Sequence, residues 1–117
     1  MKAELLQEQK KFQEAILSYQ SADRPPATLY RIADCYLSMG KVDQCVAQLR
    51  EIESFFKNDA SEAALRIAFV YRKRDSKQYI ACLRGIMAKY PASKQSNTAH
   101  EELERMGVKI GGGVDAK

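Results

Sequence analysis

Residues 29–40 run LYRIADCYLSMG, and residues 64–75 run ALRIAFVYRKRD. Ile32, Ala33 and Tyr36 return as Ile67, Ala68 and Tyr71, each 35 positions later. A second set returns at a spacing of 34, with Leu49, Ile52 and Phe56 reappearing as Leu83, Ile86 and Tyr90. The one-residue difference falls in the connection, where MGKV shortens to RDS. Upstream, Phe12, Ala15, Ile16 and Tyr19 map onto Val42, Cys45, Val46 and Leu49 at a spacing of 30, so the first connection, SADRPPA, is tighter. Small and aromatic residues held at one offset mark a packing unit used more than once. An up-down helical bundle would share the amphipathic period with no need to keep the offset.

Within each block the apolar residues recur at helical spacing. The pattern predicts about seven helices. A short first one covers roughly 2–9, and a second, near 12–22, ends at ADRPP, where Arg24 is pushed out of helical geometry by the proline that follows it. The third, about 26–39, starts on the Pro pair and stops at Gly40; the fourth runs from about 42 to 57. Asp59 with Glu62 resembles a capping box opening the fifth. Ser76 is expected to cap the sixth, which Pro91 stops, and Ser93 the seventh, to about Met106, with HEELER facing solvent. Four of the six Gly lie beyond residue 106, so little interrupts helices before it, and the segment 107–117 is expected to be a flexible, Gly-rich tail.

Composition narrows function by exclusion. A net charge of +4 favours acidic partners slightly, yet 15 acidic residues spread along the chain argue against a dedicated nucleic-acid binder. Three cysteines without a CxxC pair suggest free thiols, not a disulfide framework. No apolar run approaches a membrane span and MKAELLQEQKKF has no signal-like core, which together with the free thiols leads us to expect a cytoplasmic setting. His100 is the single histidine, set among Glu101, Glu102 and Glu104, so no catalytic Ser-His-Asp or Cys-His set can be placed around it. A zinc site from Cys35, Cys45, Cys82 and His100 would need long, irregular spacings. No Gly-rich phosphate loop is present, since GGG falls at 111–113. Neither cofactor nor metal is expected, and the chain does not read as an enzyme.

The helix pair of about 34 residues resembles the tetratricopeptide repeat. In the middle unit Leu29 stands in the usual Trp slot, Ile32 in the Leu slot, Ala33 in the Gly slot and Tyr36 in the Tyr slot, with Cys45 in the small slot and Leu49 in the Phe slot. Ile67, Ala68, Tyr71, Leu83 and Pro91 match in the third unit, and Ala3, Leu6, Ala15 and Tyr19 in the first. Tyr79 stands where a small residue is usual, and Lys57 where a late Pro is usual. The resemblance covers residues 1–106, as units of about 1–25, 26–58 and 59–91 followed by a capping helix over 93–106. It implies an all-α, right-handed α-α superhelix of about two and a half repeats, packed on Ala33, Tyr36, Cys45, Ala68, Tyr71 and Leu83.

The resemblance also implies a role. The family holds peptides or partner proteins on the inner, concave wall lined by the first helix of each unit. Here that wall would present Tyr30, Asp34 and Leu37 from the middle unit, and Leu65, Phe69, Arg72 and Lys73 from the third. Leu65 and Phe69 mark either a contact site or the seat of the capping helix. The run Arg72-Lys73-Arg74 serves either the negative end of the helix dipole or an acidic partner. A non-enzymatic protein-interaction module follows, with a structural, self-associating segment as the alternative. Self-association would use the first unit, which lacks the start of its opening helix.

Overall fold

The computed structural model describes the backbone of residues 2–22 and 25–108, with side chains over 11–21 and 25–108. The expected slots at Ala3 and Leu6, the Arg24 break and the tail from 109 to 117 lie outside those described residues. Six α-helices and one 3-10 turn account for the described regular structure, and no strand occurs among these residues. None of the described helices is long and apolar enough to cross a membrane. The chain divides into two compact units, Met1–Asp59 and Ala60–Lys117.

The first unit contains α1 (Lys2–Ala22), α2 (Ala27–Ser38), α3 (Val42–Phe55) and the 3-10 turn Lys57–Asp59. The two opening helices expected near 2–9 and 12–22 are one continuous helix, which brings the number from about seven to six. The reason is local: QEQKKFQ contains neither Gly nor Pro, and Gln, Glu and Lys are good helix formers. Helix α2 packs against both α1 and α3. Ile16, Ile32, Ala33, Cys45, Val46, Leu49 and Ile52 are buried in this unit, each large aliphatic contributing about 1.5–3 kcal/mol.

Helix α2 ends as its sequence requires. Gly40 takes φ +77°, its N–H donates to Leu37 O at 2.9 Å, and the Lys41 N–H donates to Tyr36 O at 2.8 Å. That paired closure satisfies carbonyls the last turn would otherwise leave open. The fourth predicted helix is shorter than expected, because its last residues turn into the 3-10 segment.

The second unit contains α4 (Ala60–Tyr71), α5 (Ser76–Lys89) and α6 (Lys94–Arg105). Helix α6 lies against α5 and also touches α4. The core joins Ala64, Leu65 and Ala68 of α4 to Tyr79, Leu83 and Ile86 of α5, and to Ala99 and Leu103 of α6. Ala68 and Leu83 are fully buried, as Ala33 and Cys45 nearly are in the first unit, whereas Tyr36 and Tyr71 are half-buried.

Caps refine the expected boundaries. Asp75, not Ser76, caps α5, its carboxylate accepting from the Gln78 N–H at 3.1 Å. An ionised oxygen at the positive end of a helix is the stronger acceptor of the two neighbours. Ser93 caps α6 through the Ser96 N–H at 3.0 Å. Gly107, φ +72°, closes α6 with Val108, whose N–H donates to Leu103 O at 2.9 Å. Val108 then packs on the core, so the first two residues of the expected tail belong to the closure of α6.

Candidate protein-binding surface

In the second unit, the end of α4 and the turn that follows it carry Phe69, Arg72 and Lys73. Phe69 is 39% exposed. Its ring lies 6.4 Å from that of Tyr79 at a 39° tilt, and the Arg72 guanidinium carbon sits 5.6 Å from its centroid. Such a cation over an exposed ring contributes about 0.5–1 kcal/mol and fixes both side chains in one arrangement. Arg72 also reaches Glu102 of α6 at 3.5 Å. Lys73 is exposed beside it.

Glu102 is the hub of this cluster. Its side chain is 13% exposed, the Tyr79 hydroxyl donates to its Oε1 at 2.7 Å, and Arg105 pairs with its Oε2. Burial pushes the Tyr79 phenol above its ordinary range, partly offset by the charges of Arg72 and Arg105, so the hydroxyl remains a proton donor toward Glu102. The expectation that HEELER simply faces solvent is therefore corrected at Glu102. Tyr79 occupies a slot usually held by a small residue because its hydroxyl has a charged acceptor on α6 to meet.

Leu65 is placed differently from the expected wall. It is 7% exposed and belongs to the core shared with Ala99 and Leu103 of the capping helix, so it supplies packing in place of contact area. Phe69, one turn on, keeps an open face. Within the basic run, Arg74 donates to Val70 O at 2.8 Å, the helix-end role that dipole complementarity favours. A second polar cluster ties the start of α4 to α6. Gln95 donates to Glu62 Oε1 at 3.0 Å and accepts from the Ser61 hydroxyl at 3.0 Å, while Arg66 holds Glu62 Oε2 at 3.0 Å. Glu62 thus faces Arg66 and Gln95, not a capping box.

In the first unit, Tyr30, Asp34 and Leu37 all lie on α2. Asp34 is exposed, and Tyr30 and Leu37 are half-buried. The Tyr30 hydroxyl donates toward Asp59, 3.4 Å from Oδ1 and 3.5 Å from the carbonyl oxygen. Cys35, next to Asp34, has its thiol pushed above the ordinary 9.0 by burial first and by the Asp34 charge second. His100 lies about half exposed on α6, its Nδ1 3.4 Å from Glu104 Oε1.

Sequence reasoning missed one feature of this unit. Tyr19 and Gln20 of α1, Thr28, Leu29 and Ile32 of α2, and Gln48, Glu51 and Phe55 of α3 line a groove of about 550 Å³. Phe56 also lines that groove and is half-buried, while Phe55 is 76% exposed. The adjacent pair Phe55-Phe56, two large rings at the end of α3, is the signal for it in the sequence.

Successive helical hairpins, each built on a buried alanine notch, define a helical-repeat protein. The tetratricopeptide repeat family model matches residues 27–58, which contain α2 and α3, and residues 62–93, which contain α5 and most of α4. The two matches cover more than half of the chain, which belongs to the tetratricopeptide repeat family. No curated protein and no solved structure matches it. Tetratricopeptide repeats serve generally as protein–protein interaction modules and are typically non-enzymatic.

Proposed function

We propose that this chain is a non-catalytic adaptor that binds a peptide or partner protein through the exposed faces of the first helices of its hairpins. Tyr30, Asp34 and Leu37 serve on α2, and Phe69 on α4 serves with Arg72 and Lys73 of the turn that follows it. The observation that carries the reading is Phe69: a large ring 39% exposed, backed by Tyr79 and braced by Arg72. A rigid aromatic beside cations is the kind of anchor on which interfaces concentrate their energy. With Arg72 and Lys73 at its side, the α4 surface suits a partner segment that pairs an apolar residue with a carboxylate.

The test is affinity capture with the immobilised chain, run in parallel for the parent, Phe69→Ala and Lys73→Glu. A partner recovered by the parent and lost with both variants is the expected result. Equal recovery by all three removes the surface. A second reading, self-association, is favoured by Leu17, which stands 63% exposed on α1. Sedimentation across a concentration range decides it, a dimer abolished by Leu17→Glu being its signature.

A further inference from the structure

The groove of the first unit has a chemistry of its own. Tyr19, Leu29, Ile32 and Phe55 give it a largely apolar lining around about 550 Å³, within the size range of binding sites. Its polar character is one-sided. Glu51 is the single charged residue among the described lining, and Gln48 Oε1 is buried with no hydrogen-bond partner among the described residues.

Gln48 and Glu51 are three residues apart on α3, so both stand on one helix face, and both line the groove. A guanidinium carries five donors in a flat fork and no acceptor, and it stacks on aromatic faces. The geometry points to an arginine-bearing, apolar segment of a partner protein as the occupant of this groove. The arginine donates to the exposed Glu51 carboxylate and stacks on the exposed Phe55 ring, and a neighbouring Leu, Ile or Phe fills the space over Leu29 and Ile32. Charge selects the partner here, because the described lining offers an acidic group and no cation to an incoming acidic segment. This site lies in the first unit, takes the opposite charge from the Phe69 surface of the second, and does not depend on it.

The probe is a displayed library of random twelve-residue peptides, selected on the full chain and counter-screened on Phe55→Ala. Expected is a set of peptides pairing Arg with a large apolar residue. Their affinity, read by fluorescence anisotropy, should fall roughly tenfold or more on Phe55→Ala, the scale of an anchor residue. It should fall several-fold on Glu51→Gln and weaken as salt rises, while Phe69→Ala leaves it unchanged. Phe55 is exposed, so its removal leaves the fold intact, and matched circular-dichroism melts of the parent and variant confirm this. No Phe55-dependent peptide, or Phe55-dependent peptides that are acidic or indifferent to Arg→Gln, overturns the proposal. Preferential capture of a small amphipathic cation over every peptide overturns it as well. Peptides that bind through Phe69 and ignore Phe55 overturn this proposal and leave the adaptor reading standing, whereas partner capture unaffected by Phe69→Ala overturns the Phe69 surface and leaves this proposal standing.

Discussion

The Tyr79 hydroxyl sits 2.7 Å from Glu102 Oε1, joining α5 to the capping helix across 23 residues of sequence. Tyr79 is 2% exposed, so the ring is core while its single polar atom is spent on a carboxylate that Arg72 and Arg105 also hold. Tyr79→Phe keeps the packing and removes the donor. The expected loss is about 1.5–3 kcal/mol, the contribution of one hydrogen bond to a charged group. Tyr79→Ala also empties the core and should cost about 3–5 kcal/mol. Urea unfolding of both variants checks the ranking, and equal losses would mean that the hydroxyl contributes nothing.

Ala33 and Ala68 are 1% and 0% exposed, at equivalent positions of the two hairpins. Enlarging either to Leu forces side chains off their preferred rotamers, at about 1–3 kcal/mol. Ala81, exposed on α5, is the control, where the same change should stay within about 0.5 kcal/mol. A neutral Ala68→Leu would show that the notch is not a close-packed contact.

Two glycines predict opposite signs. Gly40 holds φ +77°, a conformation that costs an ordinary residue about 1–2 kcal/mol, so Gly40→Ala destabilises even though nothing lies within 4 Å of a new Cβ. Gly85 lies inside α5 with open space around it, and Gly85→Ala should stabilise by about 0.5–1 kcal/mol. Thermal melts of the pair separate backbone conformation from packing.

Glu62 predicts a pH effect. Burial raises its pKa, but the hydrogen bonds from Arg66 and Gln95, with the Arg66 charge, outweigh burial and hold the carboxyl below its ordinary 4.5. A folded-state pKa below the unfolded one adds stability that is complete above about pH 4.5 and is lost as pH falls through the depressed value. Glu62→Gln should therefore be less stable than the parent at pH 7, with the difference shrinking below pH 4.5. A gap of constant size down to pH 2 would contradict that linkage.

What could be read from the sequence followed from local physics. The offset of 35 fixed the positions of Ala33 and Ala68, and both are buried; Gly40 marked a helix end that only a left-handed residue closes well. The rest depended on tertiary pairing. No local rule chooses between adjacent capping residues such as Asp75 and Ser76. Glu102 looks like any acid in a polar run until Tyr79 arrives from another helix. Leu65 and Phe69 are both large and apolar one turn apart, and the seat of α6 alone decides that the first is core and the second surface. The joining of the two opening helices needed only the absence of a breaker, a negative signal that the periodicity of the later repeats overrode. The groove under Phe55 depends on how α1 and α3 flank α2, which no single segment encodes.

Cys35 offers a last test, on the α2 face that carries Asp34. Burial, and after it the Asp34 carboxylate, raises the thiol above 9.0, so less of it is thiolate at any pH than in the unfolded chain. Since the thiolate is the nucleophile, iodoacetamide should modify native Cys35 with a pH profile shifted upward from that of the urea-unfolded protein. Asp34→Asn should move the profile back only part of the way, because burial is the larger cause. Cys45, 2% exposed, should stay unmodified until the first unit opens, which gives the same mass-spectrometric experiment an internal marker of folding. A profile for Cys35 that coincides with the unfolded one while Cys45 remains protected would place the Cys35 thiol in solvent, out of reach of Asp34, and would take α2 out of the proposed contact face as oriented here.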